Sequence, residues 1–137
     1  MSYASSAALQ GAIYTALQGD AGVAAHLAGA IYDAAPVGAV PELYAVVGDE
    51  EARSARDASG FVLRYTLTIS VLAEAAGFSA AKAAAGAICA ALEGADLALS
   101  SGTLIDLTFQ RAKAQRHTDG TQRRIDLRFL ARVDHSE

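Results

Sequence analysis

Tryptophan is absent from this 137-residue chain, and cysteine occurs once. A lone Cys89 excludes an intrachain disulfide, so nothing in the sequence argues for an oxidising compartment. Proline is limited to Pro36 and Pro41, and lysine to Lys82 and Lys113. No uninterrupted, strongly apolar run approaches the ~18 residues of a membrane span. The start, Met1-Ser2-Tyr3-Ala4-Ser5, has neither the basic residues nor the apolar stretch of a signal peptide, which predicts no secretory leader. GxGxxG, P-loop and GxSxG motifs are missing as well, so neither nucleotide binding nor a nucleophile elbow is signalled.

Alanine and arginine fill the space instead. There are 33 alanines, and arginine outnumbers lysine nine to two. The length fits one domain, residues 1–137, able to bury a core without disulfides or metals. Net charge is −4 but unevenly spread. Residues 111–132 hold seven basic and two acidic side chains, whereas residues 1–110 hold four basic and eleven acidic ones. A basic segment on an acidic body fits an acidic partner, either nucleic acid or a neighbouring protein, or is a solvated strand face.

Apolar spacing predicts a helix over 5–18, with Leu9, Ile13, Ala16 and Leu17 on one face and Gly19 as its stop. Asp20 reads as the N-cap of a short helix with Val23, Ala24 and Leu27 inward and Gly29 closing it. Ile31-Tyr32 and Leu43 to Val47 are short strands, separated by a loop over 34–41. Residues 48–60 are charged and lack an apolar stripe, which predicts an exposed, mobile loop.

Phe61, Leu63, Tyr65, Leu67, Ile69 and Val71 alternate with Val62, Arg64, Thr66, Thr68, Ser70 and Leu72. That is a long strand with one core face and one largely polar face. A helix over 79–93 follows, capped by Ser79 and stopped by Gly94, with Ala81, Ala84, Ala85, Ile88 and Leu92 as its stripe. Gly86 in its middle costs roughly 1 kcal/mol against alanine, and close packing on a sheet would account for it. Ile105, Leu107 and Phe109 point inward on the next strand. A β-bulge near Gln110-Arg111 explains the later shift to Ala112 and Ala114. Asp119-Gly120 marks a hairpin turn, and Ile125, Leu127, Phe129, Ala131 and Val133 line the last strand. The fold class is α+β, a single antiparallel-rich sheet with helices packed on one face.

Candidate chemistry is sparse. His26, His117 and His135 have no metal-ligand spacing between them, and Cys89 has no Cys or His close in sequence. Asp49-Glu50-Glu51 is an acidic run of the kind that solvates a loop, although paired carboxylates can do acid–base work. His117 and Asp119 sit together, but the Asp-Gly turn accounts for the aspartate. The basic hairpin carries no interleaved aromatics beyond the inward Phe109 and Phe129, so base stacking is poorly supported. No catalytic residue, cofactor or metal site is assigned, and the expectation is a structural protein rather than an enzyme.

The order of motifs carries the reading further. Ile31-Tyr32-Asp33 and Pro36 are followed by Pro41-Glu42-Leu43-Tyr44 running into Val46-Val47-Gly48. The strand Tyr65-Thr66-Leu67-Thr68-Ile69-Ser70-Val71 leads to the helix opening Gly77-Phe78-Ser79-Ala80-Ala81-Lys82. Gly102-Thr103-Leu104, Arg116-His117-Thr118-Asp119-Gly120-Thr121 and Leu127-Arg128-Phe129-Leu130-Ala131-Arg132-Val133 complete the series. Over residues 5–133 this succession resembles the tail-terminator (tail-completion) proteins of long-tailed phages, prophages and gene transfer agents. It departs at Pro41-Glu42-Leu43-Tyr44, where many relatives have proline and an aromatic adjacent.

The resemblance implies a subunit of a hexameric ring at the head-proximal end of a tail tube, within a virion or phage-like particle made in the bacterial cytoplasm. Its implied partners are further copies of itself, the tail tube protein and the head-side connector or stopper. DNA passes through the lumen without sequence-specific binding, and no membrane is involved. On this reading Arg64, Arg111, Lys113, Arg116, Arg123, Arg124, Arg128 and Arg132 serve subunit contacts, partner contacts or the lumen. Asp49, Glu50, Glu51, Arg53, Arg56 and Asp57 form a partner-contact loop. The alternatives are a neighbouring head–tail connector or stopper, a tail tube subunit, or a small nucleic-acid-binding module that uses the basic hairpin.

Overall fold

The computed structural model describes residues 3–34, 38, 41–54, 61–74, 78–116 and 122–135. Among them the elements run α1 (Ser5–Gln18), α2 (Ala21–Leu27), β1 (Ile31–Tyr32), β2 (Leu43–Ser54), β3 (Val62–Glu74), α3 (Phe78–Leu92), β4 (Thr103–Arg116) and β5 (Gln122–Asp134). The strands form one sheet in the order β1-β2-β3-β5-β4. β1 pairs parallel to β2, and every other pairing is antiparallel. The fold is therefore α+β with a mostly antiparallel sheet, as the alternation predicts.

The helices cover one face. Leu9, Ile13 and Leu17 of α1, Val23 and Leu27 of α2, and Ala81, Ala84, Ala85, Ile88 and Leu92 of α3 are buried. They meet Leu63, Tyr65, Leu67, Ile69 and Val71 of β3 and Ile125, Leu127, Phe129, Ala131 and Val133 of β5 in one cluster. Each large side chain among these contributes roughly 1.5–3 kcal/mol by burial. The alanine stripe of α3 lets the helix lie close to the sheet. Asp20 caps α2 as its sequence position predicts, its Oδ1 accepting from the Val23 N–H at 3.0 Å.

Several expectations need correction. Residues 48–54 are not a loop: β2 continues through Ser54, paired along its length with β3. A bulge hid this, because Gly48 and Asp49 together face Thr68 between the Val47 and Glu50 pairs. The extra residue reverses the alternation, so Glu50 and Ala52 turn to the helix side. Asp49, Glu50, Glu51 and Arg53 thus lie on a strand, while Arg56 and Asp57 of the expected loop lie outside the described residues. Ser79 sits inside the first turn of α3 and not at its cap. Ala24 is exposed and not inward. Gly86 is exposed, with open space where a Cβ would stand, so close packing is not what places it there. The second face of β3 is also less polar than its alternation implies, since Val62, Ser70 and Leu72 are buried.

β4 carries two register shifts, between Leu104 and Asp106 and between Phe109 and Arg111. The second is the bulge expected near Gln110-Arg111. The first ejects Ile105, which is 45% exposed rather than inward, and gives its core position to Leu104. The turn residues His117 to Thr121 lie outside the described residues, but the β4–β5 pairing on either side of them is an antiparallel hairpin.

Candidate functional site

The face of the sheet away from the helices is polar and open. Register places Arg64 beside Arg132, Thr68 beside Arg128 and Ser70 beside Asp126 on β3 and β5. Arg111, Lys113 and Gln115 of β4 continue the rows of Arg128, Asp126 and Arg124. Asp49, Thr68, Arg111, Lys113, Arg124, Asp126 and Arg128 line a shallow groove of about 310 Å³.

Carboxylates hold part of this charge. Arg124 Nε donates to Asp126 Oδ1 at 2.9 Å, and Ser70 Oγ donates to the same oxygen at 2.6 Å. Arg124 Nη2 reaches Ser70 Oγ at 3.2 Å. Arg132 grips Asp106 with two nitrogens, its Nε lying 3.1 Å from both carboxylate oxygens. Both pairs are partly solvated, so each contributes little to stability, about 0–1 kcal/mol. Their effect is to fix long side chains in place and to make the groove mixed in sign.

The two sides of the sheet end differently. On β4, the Leu107 carbonyl accepts from the Gly94 N–H at 3.0 Å, and the Phe109 N–H donates to Glu93 Oε1 at 2.7 Å. The loop after α3 therefore covers the outer edge of the strand's first half. In an antiparallel ladder the N–H and C=O of one residue point the same way, and the direction alternates along the strand. Leu107 and Phe109 hence point away from β5. Since β5 pairs with β3 without a shift, Ala112 and Ala114, opposite Leu127 and Ile125, point away from β5 too. Residues 110–116 are all exposed. Across the sheet, β1 pairs with β2 only at Ala45 and Val46, so among the described residues the outer edge of 47–54 is unpaired by any strand.

A buried polar cluster ties the open sheet to α1. Ser5 Oγ lies 2.6 Å from Tyr65 Oη and 2.7 Å from His135 Nε2. Ser6 Oγ donates to Glu50 Oε2 at 2.8 Å, and Tyr3 Oη donates to the same carboxylate. A serine beside an imidazole resembles nucleophilic chemistry, but Ser5 is fully buried, so its hydroxyl joins α1 to β3 and to the end of β5. Burial first, then the Glu50 charge and Tyr3, push the Tyr65 phenol above its ordinary 10.0, against the lowering effect of its bond to Ser5. The Cys89 thiol is also pushed up, by burial and then by Glu93, the opposite of what a reactive thiolate needs.

Residues 11–134 match the family model described as tail completion protein gp17. The chain belongs to this family. The match spans all five strands, α2, α3 and most of α1. Among solved structures, the chain is 48% identical to a chain of the virion of a native gene transfer agent particle, with a TM-score of 0.91. That alignment covers 97% of this chain and 99% of the other. No curated protein matches. Tail completion is a structural role, and the sequence reading of a structural protein agrees with it.

Within this tail completion fold, the predicted residues divide. Arg64, Arg111, Lys113, Arg124, Arg128 and Arg132 share the open face, as the spacing of the last strand implies. Arg116 and Arg123 face each other in a row that lies toward the helices, and Arg123 stands 5.6 Å from the centre of the Phe78 ring. Glu50 is turned into the α1 contact and leaves the acidic run. Sequence reasoning missed the Ser5–Tyr65–His135 cluster. Its one local signal is Ser5, a polar residue at the helical spacing that puts Leu9 and Ile13 in the core.

Proposed function

We infer that this chain terminates the tail tube of a phage-like particle as a ring of six, joining the tube to the head-side connector while DNA passes through the lumen. The observation that carries the reading is the near end-to-end likeness to a chain of a gene transfer agent virion. Two edge segments support it, 47–54 of β2 and 110–116 of β4, which no strand among the described residues pairs, since unpaired edges are a hazard for a monomer and a closed ring covers them. The mixed charge of the open face also fits a surface that must not grip DNA, because each neutralised phosphate adds salt-sensitive affinity. Most of the open-face arginines then serve subunit and partner-ring contacts, and a minority line the lumen.

Electron microscopy of the assembled particle tests the proposal. The expected result is this chain at sixfold symmetry at the head-side end of the tube. Another symmetry, or a position elsewhere along the tail, overturns it. Replacing Arg124 and Arg128 by alanine should weaken assembly while the monomer stays folded. Normal tails that fail only in DNA retention or transfer would assign these arginines to the lumen instead.

A further inference from the structure

We propose that residues 110–116 of β4 pair, antiparallel, with residues 47–54 of β2 in a second copy of this chain, so that one sheet runs on from subunit to subunit. The proposal rests on the ring reading above and names the contact that would build it.

Direction is the first argument. Strands β2, β3, β5 and β4 alternate in sense across the sheet, so β4 runs opposite to β2. Copies around a ring are related by rotation, and a rotation about an axis lying broadly along the strands preserves their sense. The outer strand of one copy therefore meets the outer strand of the next as an antiparallel pair.

Parity is the second. The Ala45 N–H bonds outward to Ala30, so Ala45 points away from β3. Its row is Val71, and the rows of Glu50 and Ala52 are Leu67 and Tyr65, residues of the same parity on β3. Glu50 and Ala52 thus present their backbone groups outward, as Ala112 and Ala114 do on the other edge. All four carry their side chains on the helix side. Residues that exchange hydrogen bonds in an antiparallel pair share a face. Joining these edges therefore continues both faces of the sheet without inverting either, and Ala52, Ala112 and Ala114 add no bulk at the join.

Charge is the third. Arg111 and Lys113 stand exposed on one edge, and Asp49, Glu51 and Arg53 on the other, all on the open face; Arg53 Nε lies 3.8 Å from Glu51, so the second edge stays acidic only by its excess of one carboxylate. Like edges repel and unlike edges attract, which favours a head-to-tail contact over a back-to-back dimer.

The two free segments are also staggered. The row of Glu51 runs through Thr66 and Leu130 to Thr108, five residues from Lys113. A sheet closed into a barrel with strands tilted by about 36° shifts roughly one residue per strand. Across four long strands that is a stagger of the size seen, and it sets Lys113 opposite Glu51.

The test uses assembled particles carrying Glu51→Cys and Lys113→Cys in a Cys89→Ala background. Two companion pairs, Glu51→Cys with Arg111→Cys and with Gln115→Cys, cover neighbouring registers. Oxidation should yield a ladder of covalent oligomers of this chain from at least one pair. Ala112→Pro with Ala114→Pro removes outward N–H groups while leaving the bonds to β5, since an edge strand tolerates proline there. It should lower incorporation by about tenfold, a change of ~1.4 kcal/mol, with an unchanged melting temperature of the free protein. If wild-type particles hold several copies and none of the three cysteine pairs gives a ladder, the strand pairing alone is overturned, and so it is by normal incorporation of the proline variant. Wild-type particles that hold a single copy per tail overturn the ring reading, and the pairing falls with it.

Discussion

The two halves of β4 are neighbours in one strand but meet different surroundings. Leu104 and Leu107 of the first half pack into the core, and its outer edge is closed by Glu93 and Gly94. The second half keeps its ladder to β5 but has neither a helix over Ala112 and Ala114 nor a partner at its edge among the described residues. The bulge after Phe109 marks the change. Phe109 itself straddles it, packed edge-on against Phe129 at 5.9 Å between centroids yet 41% exposed. One half serves the fold, and the other is the edge that the pairing proposed above would use.

Breaking the first half should have the largest effect. Leu107→Ala empties a fully buried site. It should cost about 2–5 kcal/mol in denaturant unfolding. The comparison fails if Ala112→Ser in the second half costs as much. Gly102→Ala comes next. Gly102 has φ +81, and a Cβ there would stand 2.8 Å from Val133 and 3.3 Å from the Asp134 carbonyl. The expected loss is about 1–3 kcal/mol, read as a lower melting temperature.

Tyr65→Phe removes the phenol from the Ser5 cluster and leaves the buried Ser5 hydroxyl with His135 alone, which should cost about 0.5–1.5 kcal/mol, the worth of one hydrogen bond. It also alters the alkaline limb. The folded-state pKa of Tyr65 is raised, so the native state holds the phenolic proton more tightly than the unfolded chain does. The stability this gives is present below the unfolded value of about 10 and is lost as pH rises from there toward the folded value. Wild-type unfolding free energy should fall over that window, and the fall should be shallower in Tyr65→Phe. The smallest effect has the opposite sign. Gly86→Ala, on an exposed turn of α3 with room for the methyl, should raise stability by about 0.5–1 kcal/mol. A loss of particle assembly without a loss of stability in that variant would instead mark this helix face as a contact.

Much of this architecture is legible in the sequence because the signals are local. Period-two runs from Leu63 to Val71 and from Ile125 to Val133, and the stripe from Ala81 to Leu92, fall where the structure has β3, β5 and α3. β2 was not legible beyond Val47, since its bulge sets Glu50 and Ala52 on the face where the earlier alternation predicts the opposite one. A carboxylate facing the helices is tolerable only because Tyr3 and Ser6, more than forty positions away in sequence, donate to it. The same distance hides the Ser5 cluster, whose partners lie 60 and 130 positions away. Among the candidate contact residues, the arginines of the last strand could be placed on one face from spacing alone. Which edge is covered could not, because the Glu93 contact with Phe109 depends on where the loop after α3 returns.

That contact leaves a mark that amide hydrogen exchange can read. Along the far half of β4, the amides of Arg111 and Lys113 turn toward β5, while those of Ala112 and Ala114 turn to solvent. Their exchange in the free subunit should alternate, slow and fast, residue by residue. Phe109 breaks the rhythm: its amide also turns outward, but Glu93 holds it, and it should exchange slowly. Inside a particle the alternation should flatten if a second chain takes up the alanine amides, while Phe109 keeps the rate it already had.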